Sequence, residues 1–207
     1  MTEDRAKEGK PTYWVTHLAK QCPQQTQWLV RKKTKTAVLP SYNSENHRKA
    51  EERVARFMER QGWVVEQEVL HMYENRRFKL GHFYDLRAVQ GKTMTYVEVK
   101  PRDRNYYEDQ YLLAMLLLRL VGEKASYLVY EYENERFVPK TYPGDGMAKT
   151  ALMAKVRESQ SPQPTRVPSK GCTYCPFSEC QHHPQAQPKK KDVVEEIIAE
   201  LEAMLEL

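Results

Sequence analysis

Between residues 44 and 62 the apolar positions recur at helical spacing. Ala50, Val54, Phe57 and Met58 form one stripe, Ser44 is suited to cap the helix start, and Gly62 is suited to end it. His47 and Glu51 lie on the same stripe, so both are expected to face the body of the protein rather than water. Beyond the glycine the pattern changes. The valine-rich run Trp63 to Leu70 predicts a strand, Phe78 to Val89 a second and Thr93 to Lys100 a third. The Gln90-Gly91 turn makes the last two a hairpin.

A strongly apolar helix follows from Tyr107 to about Val121, stopping at Gly122. Ser126 to Glu133 and Arg136 to Val138 read as further strands, and Met147 to Glu158 as another helix. At the front of the chain a helix is predicted from Trp14 to about Leu29, with Cys22 near its middle and Pro23 interrupting it. Residues 159 to 169 contain three prolines and read as a linker. Asp192 is placed to cap a last helix, with Glu195 three residues on and Val194, Ile198, Leu201 and Leu205 along one face. The order predicts an α/β fold, a mixed sheet flanked by helices. Five segments result: a flexible start (1–12), a helix and loop with the first cysteine (13–43), a core (44–158), a linker with the cysteine cluster (159–185) and a C-terminal helix (186–207).

Composition narrows the class. The longest apolar run, Tyr111 to Leu118, is too short to span a bilayer. Residues 1 to 10 lack the apolar core of a signal peptide, so a cytoplasmic protein is expected. Net charge is +5, but the tail from 189 to 207 carries three lysines and six acids, leaving +8 on the remainder. Basic residues gather at Arg31–Lys35 and at Lys100, Arg102 and Arg104. Both a polyanion partner and an ordinary solvated surface fit that distribution.

The sharpest chemical pattern is Asp85, twelve intervening residues, and then Glu98-Val99-Lys100. Alternation on a strand puts Glu98, Lys100 and Tyr96 on one face and Val97 and Val99 on the other. Asp85 lies on the preceding strand, where the hairpin can bring its carboxylate beside Glu98. Two converging carboxylates suit a hard divalent cation such as Mg²⁺, and a neighbouring lysine can hold water or offset charge on a phosphate in reaction. His47 adds an imidazole ligand from the helix. The bland alternatives are a Glu98–Lys100 surface ion pair and a histidine that merely caps a helix.

Three of the four cysteines, Cys172, Cys175 and Cys180, form C-x2-C-x4-C, and 149 residues separate Cys22 from Cys172. Structural disulfides are not expected in the cytoplasm, so metal ligation accounts for the cluster better. Four thiolates in a three-plus-one arrangement suit an iron–sulfur cluster. His182 and His183 keep a zinc site open as the alternative. Either would staple the two chain ends together.

Taken together these residues resemble the RecB-like nucleases of the PD-(D/E)XK superfamily, with the nearest likeness to the CRISPR-associated RecB-like exonucleases. The stretch Val15 to Pro23, His47, Asp85, Glu98-x-Lys100, Gln110 and the cysteine trio match that family's motifs in order, covering about Val15 to Cys180. The resemblance implies a restriction-endonuclease-like core with an iron–sulfur-stapled subdomain. It also implies a [4Fe–4S] cluster on Cys22, Cys172, Cys175 and Cys180, and Mg²⁺ or Mn²⁺ held by His47, Asp85, Glu98 and the Val99 carbonyl. Lys100 would orient water and Gln110 would position Lys100 or substrate. Two positions depart from the family pattern. Ala114 stands where a tyrosine is usual, with Tyr107 or Tyr111 able to supply a ring, and Gly81 lies one residue further from the aspartate than usual.

The resemblance implies hydrolysis of single-stranded DNA, as an exonuclease with endonuclease activity as the further option, leaving 5′-phosphates. Arg102, Arg104, Tyr107 and Tyr111, with Tyr106, are candidate DNA contacts. Partner proteins of CRISPR adaptation, recombination or replication are compatible with the family, as is a homo-oligomer. The host would be a prokaryotic cell or one carrying a virus. The rival readings are a DNA-binding partner subunit with little or no catalysis, and a zinc-stabilised binding module.

Overall fold

The structure is a computed structural model that describes residues 10–20, 22–32, 44–162 and 180. In chain order the elements are β1 (Thr12–Trp14), α1 (Val15–Lys20), α2 (Pro23–Lys32), α3 (Ser44–Arg60), β2 (Val64–Glu74), β3 (Lys79–Gln90) and β4 (Thr93–Lys100). After a 3-10 turn at Asn105–Tyr107 come α4 (Glu108–Leu120), β5 (Ser126–Glu131), β6 (Arg136–Lys140) and α5 (Asp145–Gln160). Among the described residues the strands make one six-stranded mixed sheet ordered β1-β3-β4-β5-β6, with β2 on the other edge of β3. The β3–β4 and β5–β6 pairs are antiparallel and β4–β5 is parallel, joined through α4.

Each face of the sheet carries its own core. Ala50, Val54, Ala55 and Met58 of α3 pack on Leu86, Ala88, Val97, Val99 and Tyr130. On the opposite face α1, α4 and α5 supply Leu18, Leu113, Leu117, Leu152 and Val156, which cover Tyr84, Tyr96, Tyr127 and Val129. Strand alternation thus sends Val97 and Val99 one way and Tyr96 the other, as their sequence predicts. Phe57 departs from its expected place on the buried stripe. It is 47% exposed and meets only the rim of the core at Phe137, 6.0 Å away.

Strand β3 is shared between neighbours in a way that creates the site. Its inner half, Leu86–Gln90, pairs with β4, and its outer end, Lys79–Gly81, pairs with β1. Residues 82 to 85 lie between, at a gap in the sheet. Tyr84 and Leu86 occupy opposite layers although alternation would put them together, so the strand turns over at Asp85. The facing residue on β2, Glu68, has φ +53°, and the ladder omits the Glu68–Asp85 step. A non-glycine residue in the left-handed region marks a local kink there.

The predicted N-terminal helix is instead β1, α1 and α2. Pro23 cannot continue a helix but fits the first turn of a new one, so Cys22 sits at a break rather than mid-helix. β2 runs four residues beyond the predicted strand, to Glu74, because β3 continues to pair with it. The predicted C-terminal helix, Cys172, Cys175, His182 and His183 lie outside the described residues, as does the side chain of Ser44. No helix among the described residues is long and apolar enough to cross a membrane.

Candidate metal-binding centre

Beyond Val97 strand β4 no longer pairs with β3, so the backbone of Val99 needs other partners. Two side chains supply them. The Val99 N–H donates to Oδ2 of Asp85 at 2.6 Å, and Nε2 of His47 lies 2.9 Å from the Val99 carbonyl oxygen. His47 and Asp85 are themselves 3.9 Å apart. On the other ring nitrogen, Nδ1 of His47 meets Glu51 at 2.9 Å, one helical turn along α3. Ligand atoms of His47, Glu51 and Asp85 all fall within 4.8 Å of one another, as a metal site requires.

Glu98 and Lys100 reach the same gap from the other side of the sheet. Glu98 is 2% exposed and Lys100 is 8% exposed. Lys100 Nζ donates to Glu98 Oε1 at 2.6 Å and to the Val99 carbonyl at 3.2 Å, and lies 3.9 Å from Asp85 Oδ2. Gln110, buried on α4, donates its amide to the same Glu98 Oε1 at 2.7 Å. The second Glu98 oxygen faces Nε2 of His82 and the hydroxyl of Tyr127, each at 3.5 Å. Three carboxylates, Glu51, Asp85 and Glu98, therefore face a single lysine and the two histidines His47 and His82 across a few ångströms.

That imbalance shows in the proton affinities. Burial and then the charge of Glu98 push the Asp85 carboxyl up to about 6, against the pull of Lys100 and His47. Burial opposes the charge on Glu98 too, but Lys100 and His82 overcome it and hold that carboxyl well below the usual range. Lys100 shows the mirror image: burial lowers it, and Glu98 with Asp85 more than restore it. His47 is raised, first by its hydrogen bond to Glu51.

His47, Asp85, the Val99 carbonyl, Glu98, Lys100 and Gln110 are thus brought together, as the sequence predicts. Glu98 differs from the others in binding Lys100 and Gln110 rather than joining the His47–Glu51–Asp85 cluster. His82 and Tyr127 escaped the sequence reading. The signal for His82 was slight: a lone histidine at an inward-facing position of β3. Of the expected DNA contacts, Arg102 and Arg104 are exposed, with Arg102 ion-paired to Glu133. Tyr107 and Tyr111 are corrected. Tyr111 is fully buried against Tyr127, and Tyr107 turns inward so that Lys100 Nζ lies 5.7 Å from its ring centre. Neither offers a face to a nucleotide. Ala114 is fully buried, and its carbonyl accepts from the Tyr84 hydroxyl at 2.7 Å.

Cys22 is half-buried and Cys180 buried, and the two form no disulfide among the described residues. The helix that follows Cys22 lies against the end of α5, where Gln27 donates to the Ser161 carbonyl at 2.7 Å and Gln160 to the Tyr13 hydroxyl at 3.0 Å.

The fold is similar to that in the crystal structure of SSO0001. The two superpose with a TM-score of 0.55 over 85% of this chain and 88% of that one, at 16% sequence identity, which shows likeness of fold alone. No protein-family model matches the sequence, and no curated protein matches it.

Proposed function

We propose that this chain is a divalent-metal-dependent deoxyribonuclease with a restriction-endonuclease-like core, hydrolysing phosphodiester bonds of single-stranded DNA. The observation that carries this reading is the meeting of Asp85, Glu98 and Lys100, from two strands, with His47 and the Val99 carbonyl at one gap in the sheet. Carboxylate, imidazole and carbonyl donors fit a hard ion such as Mg²⁺ or Mn²⁺. His47, Asp85, Glu98 and the Val99 carbonyl would hold it. When bound, such an ion polarises a phosphate and acidifies a water molecule.

The protein's own groups do the rest. Lys100 is the buried ammonium at the gap, placed to orient water and to offset charge that grows on the phosphate oxygens. Gln110 and Tyr127 hold Glu98 in place from the α4 side. Water oxygen bonds to phosphorus and gives up a proton to solvent, while the 3′-oxygen departs and takes one up, leaving a 5′-phosphate and a 3′-hydroxyl. The test is digestion of end-labelled single-stranded DNA with Mn²⁺. Wild type should cleave, and Glu98→Ala, Lys100→Ala and chelator should each abolish cleavage. Equal degradation by wild type and both variants would show a contaminant and end this reading. Tight DNA binding with no cleavage would leave a binding subunit instead.

We also infer a [4Fe–4S] cluster on Cys22, Cys172, Cys175 and Cys180. The contacts of Gln27 and Gln160 support it, because they bring the stretches after and before Cys22 beside the point where the chain leaves α5 toward the cysteine trio. Thiolate donors without a paired-knuckle spacing suit iron–sulfur over zinc.

A further inference from the structure

Outside the centre, one surface feature of β1 and β3 has no role in the core. Phe83 is 52% exposed, and the ring of Trp14 stacks on it with centroids 5.5 Å apart and planes 10° from parallel. Leu70 and Met72 on β2 flank the pair, opposite Phe83 and Gly81, and are themselves exposed. The neighbours in sequence, Tyr13 and Tyr84, turn inward, so Trp14 and Phe83 necessarily present the other face of the sheet. It is the face that α3, and with it His47, covers further along.

Gly81 explains how the rings lie there. A Cβ at that position would sit 2.4 Å from the Met72 sulfur and 3.0 Å from the Trp14 ring. The missing side chain lets both settle flat against the strand. Phe83 is two residues from Asp85, or about 7 Å along an extended chain, comparable to one nucleotide step. At the far end of the same hairpin, Arg76 and Arg77 are exposed.

We propose that Trp14 and Phe83 form a base-stacking platform for single-stranded DNA, adjacent to the metal centre, with the strand continuing along the β2–β3 hairpin toward Arg76 and Arg77. The proposal rests on the nuclease reading for its substrate. Aromatic faces bind any base, and a parallel pair of exposed Phe83 and half-buried Trp14 beside hydrolytic residues offers the stacking surface that Tyr107 and Tyr111, buried as they are, do not. The basic turn suits the backbone phosphates.

The experiment measures binding of a fluorescein-labelled oligo-dT by the full chain in Ca²⁺, by anisotropy, and its cleavage in Mn²⁺. Phe83→Ala and Trp14→Ala should each weaken binding roughly tenfold and raise KM with little change in kcat. Phe83→Trp should restore affinity. Trp14→Phe should keep affinity while losing the quenching of tryptophan emission by DNA. Phe83→Ala should keep the wild-type melting temperature, since that ring is largely exposed and outside the core. Alanine variants that bind oligo-dT as wild type does would overturn the platform while leaving the nuclease intact. Platform-dependent binding with no cleavage by wild type would overturn the nuclease and keep the platform. If Phe83→Ala instead converts a dimer to a monomer and leaves DNA affinity unchanged, the patch is an interface between copies and the proposal fails.

Discussion

Asp85 and Val99 are joined by a hydrogen bond of 2.6 Å from the Val99 amide to the Asp85 carboxylate, across the point where β3 parts from β4. The bond fills a vacancy in the ladder and at the same time sets an acid beside the carbonyl that His47 touches. The same geometry confines a charge. Burial and Glu98 raise the Asp85 carboxyl from 3.8 to about 6, so the folded chain holds its proton more tightly than the unfolded chain. In metal-free protein this destabilises the fold progressively as pH rises from about 4 to about 6, and fully above that. Asp85→Asn removes the charge and keeps an acceptor for Val99. It should therefore melt above wild type in EDTA near neutral pH and converge with it toward about pH 4, while losing the proposed nuclease activity. Melting curves at a series of pH values check this, and an Asn variant that melts below wild type at neutral pH refutes it.

Lys100 is predicted to be structural as well as chemical. It and Glu98 are both buried, and Glu98 depends on Lys100 for its strongest contact, at 2.6 Å. Lys100→Met strands the carboxylate, at a cost of about 3–5 kcal/mol. Adding Glu98→Gln should recover most of that stability, though not activity. Urea denaturation of the single and double variants measures it. A single variant as stable as wild type would mean that the carboxylate finds another partner.

What could be seen in the sequence was whatever repeated with a period. The stripe of Ala50, Val54 and Met58 fixed α3, and the alternation around Glu98 assigned Tyr96 and Val99 to their layers correctly. β1 was invisible because three residues carry no period, and Pro23 marked the helix break only ambiguously. The half-turn of β3 at Asp85 could not be read at all. It depends on Glu68 at positive φ and on β1 replacing β4 as neighbour, both consequences of tertiary pairing. That turn is why His82 points at Glu98 and Phe83 at solvent. Tyr107 and Tyr111 are legible in the sequence only as aromatics near arginines, which suggests DNA contacts, whereas both pack into the apolar layer that holds Tyr127.

Glu51 should act through His47. Its carboxylate takes Nδ1 of the ring at 2.9 Å, which leaves Nε2 turned toward Asp85 and the Val99 carbonyl. Carboxylates in that position fix the ring and raise its strength as a ligand. Glu51→Ala should weaken Mn²⁺ binding about 10- to 100-fold, read as free Mn²⁺ by electron paramagnetic resonance. Glu51→Gln, which retains an acceptor oxygen, should lose less. Unchanged Mn²⁺ affinity in the alanine variant would show that Glu51 merely pairs with the ring.

Cys22 tests the staple between the two ends of the chain. It precedes α2, whose Gln27 is bonded to Ser161 just past α5, so the first and last parts of the described fold already lean on each other there. A cluster ligated by Cys22 and the distant trio would close a loop of well over a hundred residues, and the loss of such a cross-link acts chiefly on the unfolded chain. Purified anaerobically, wild type should be brown and contain close to four irons. Cys22→Ser should lose iron and melt at a lower temperature, whereas the same change in a protein without a cluster would remove one half-buried thiol and little else. Iron content and melting temperature both equal to wild type would exclude Cys22 as a ligand. Stoichiometric zinc in place of iron would reassign the metal while keeping the staple.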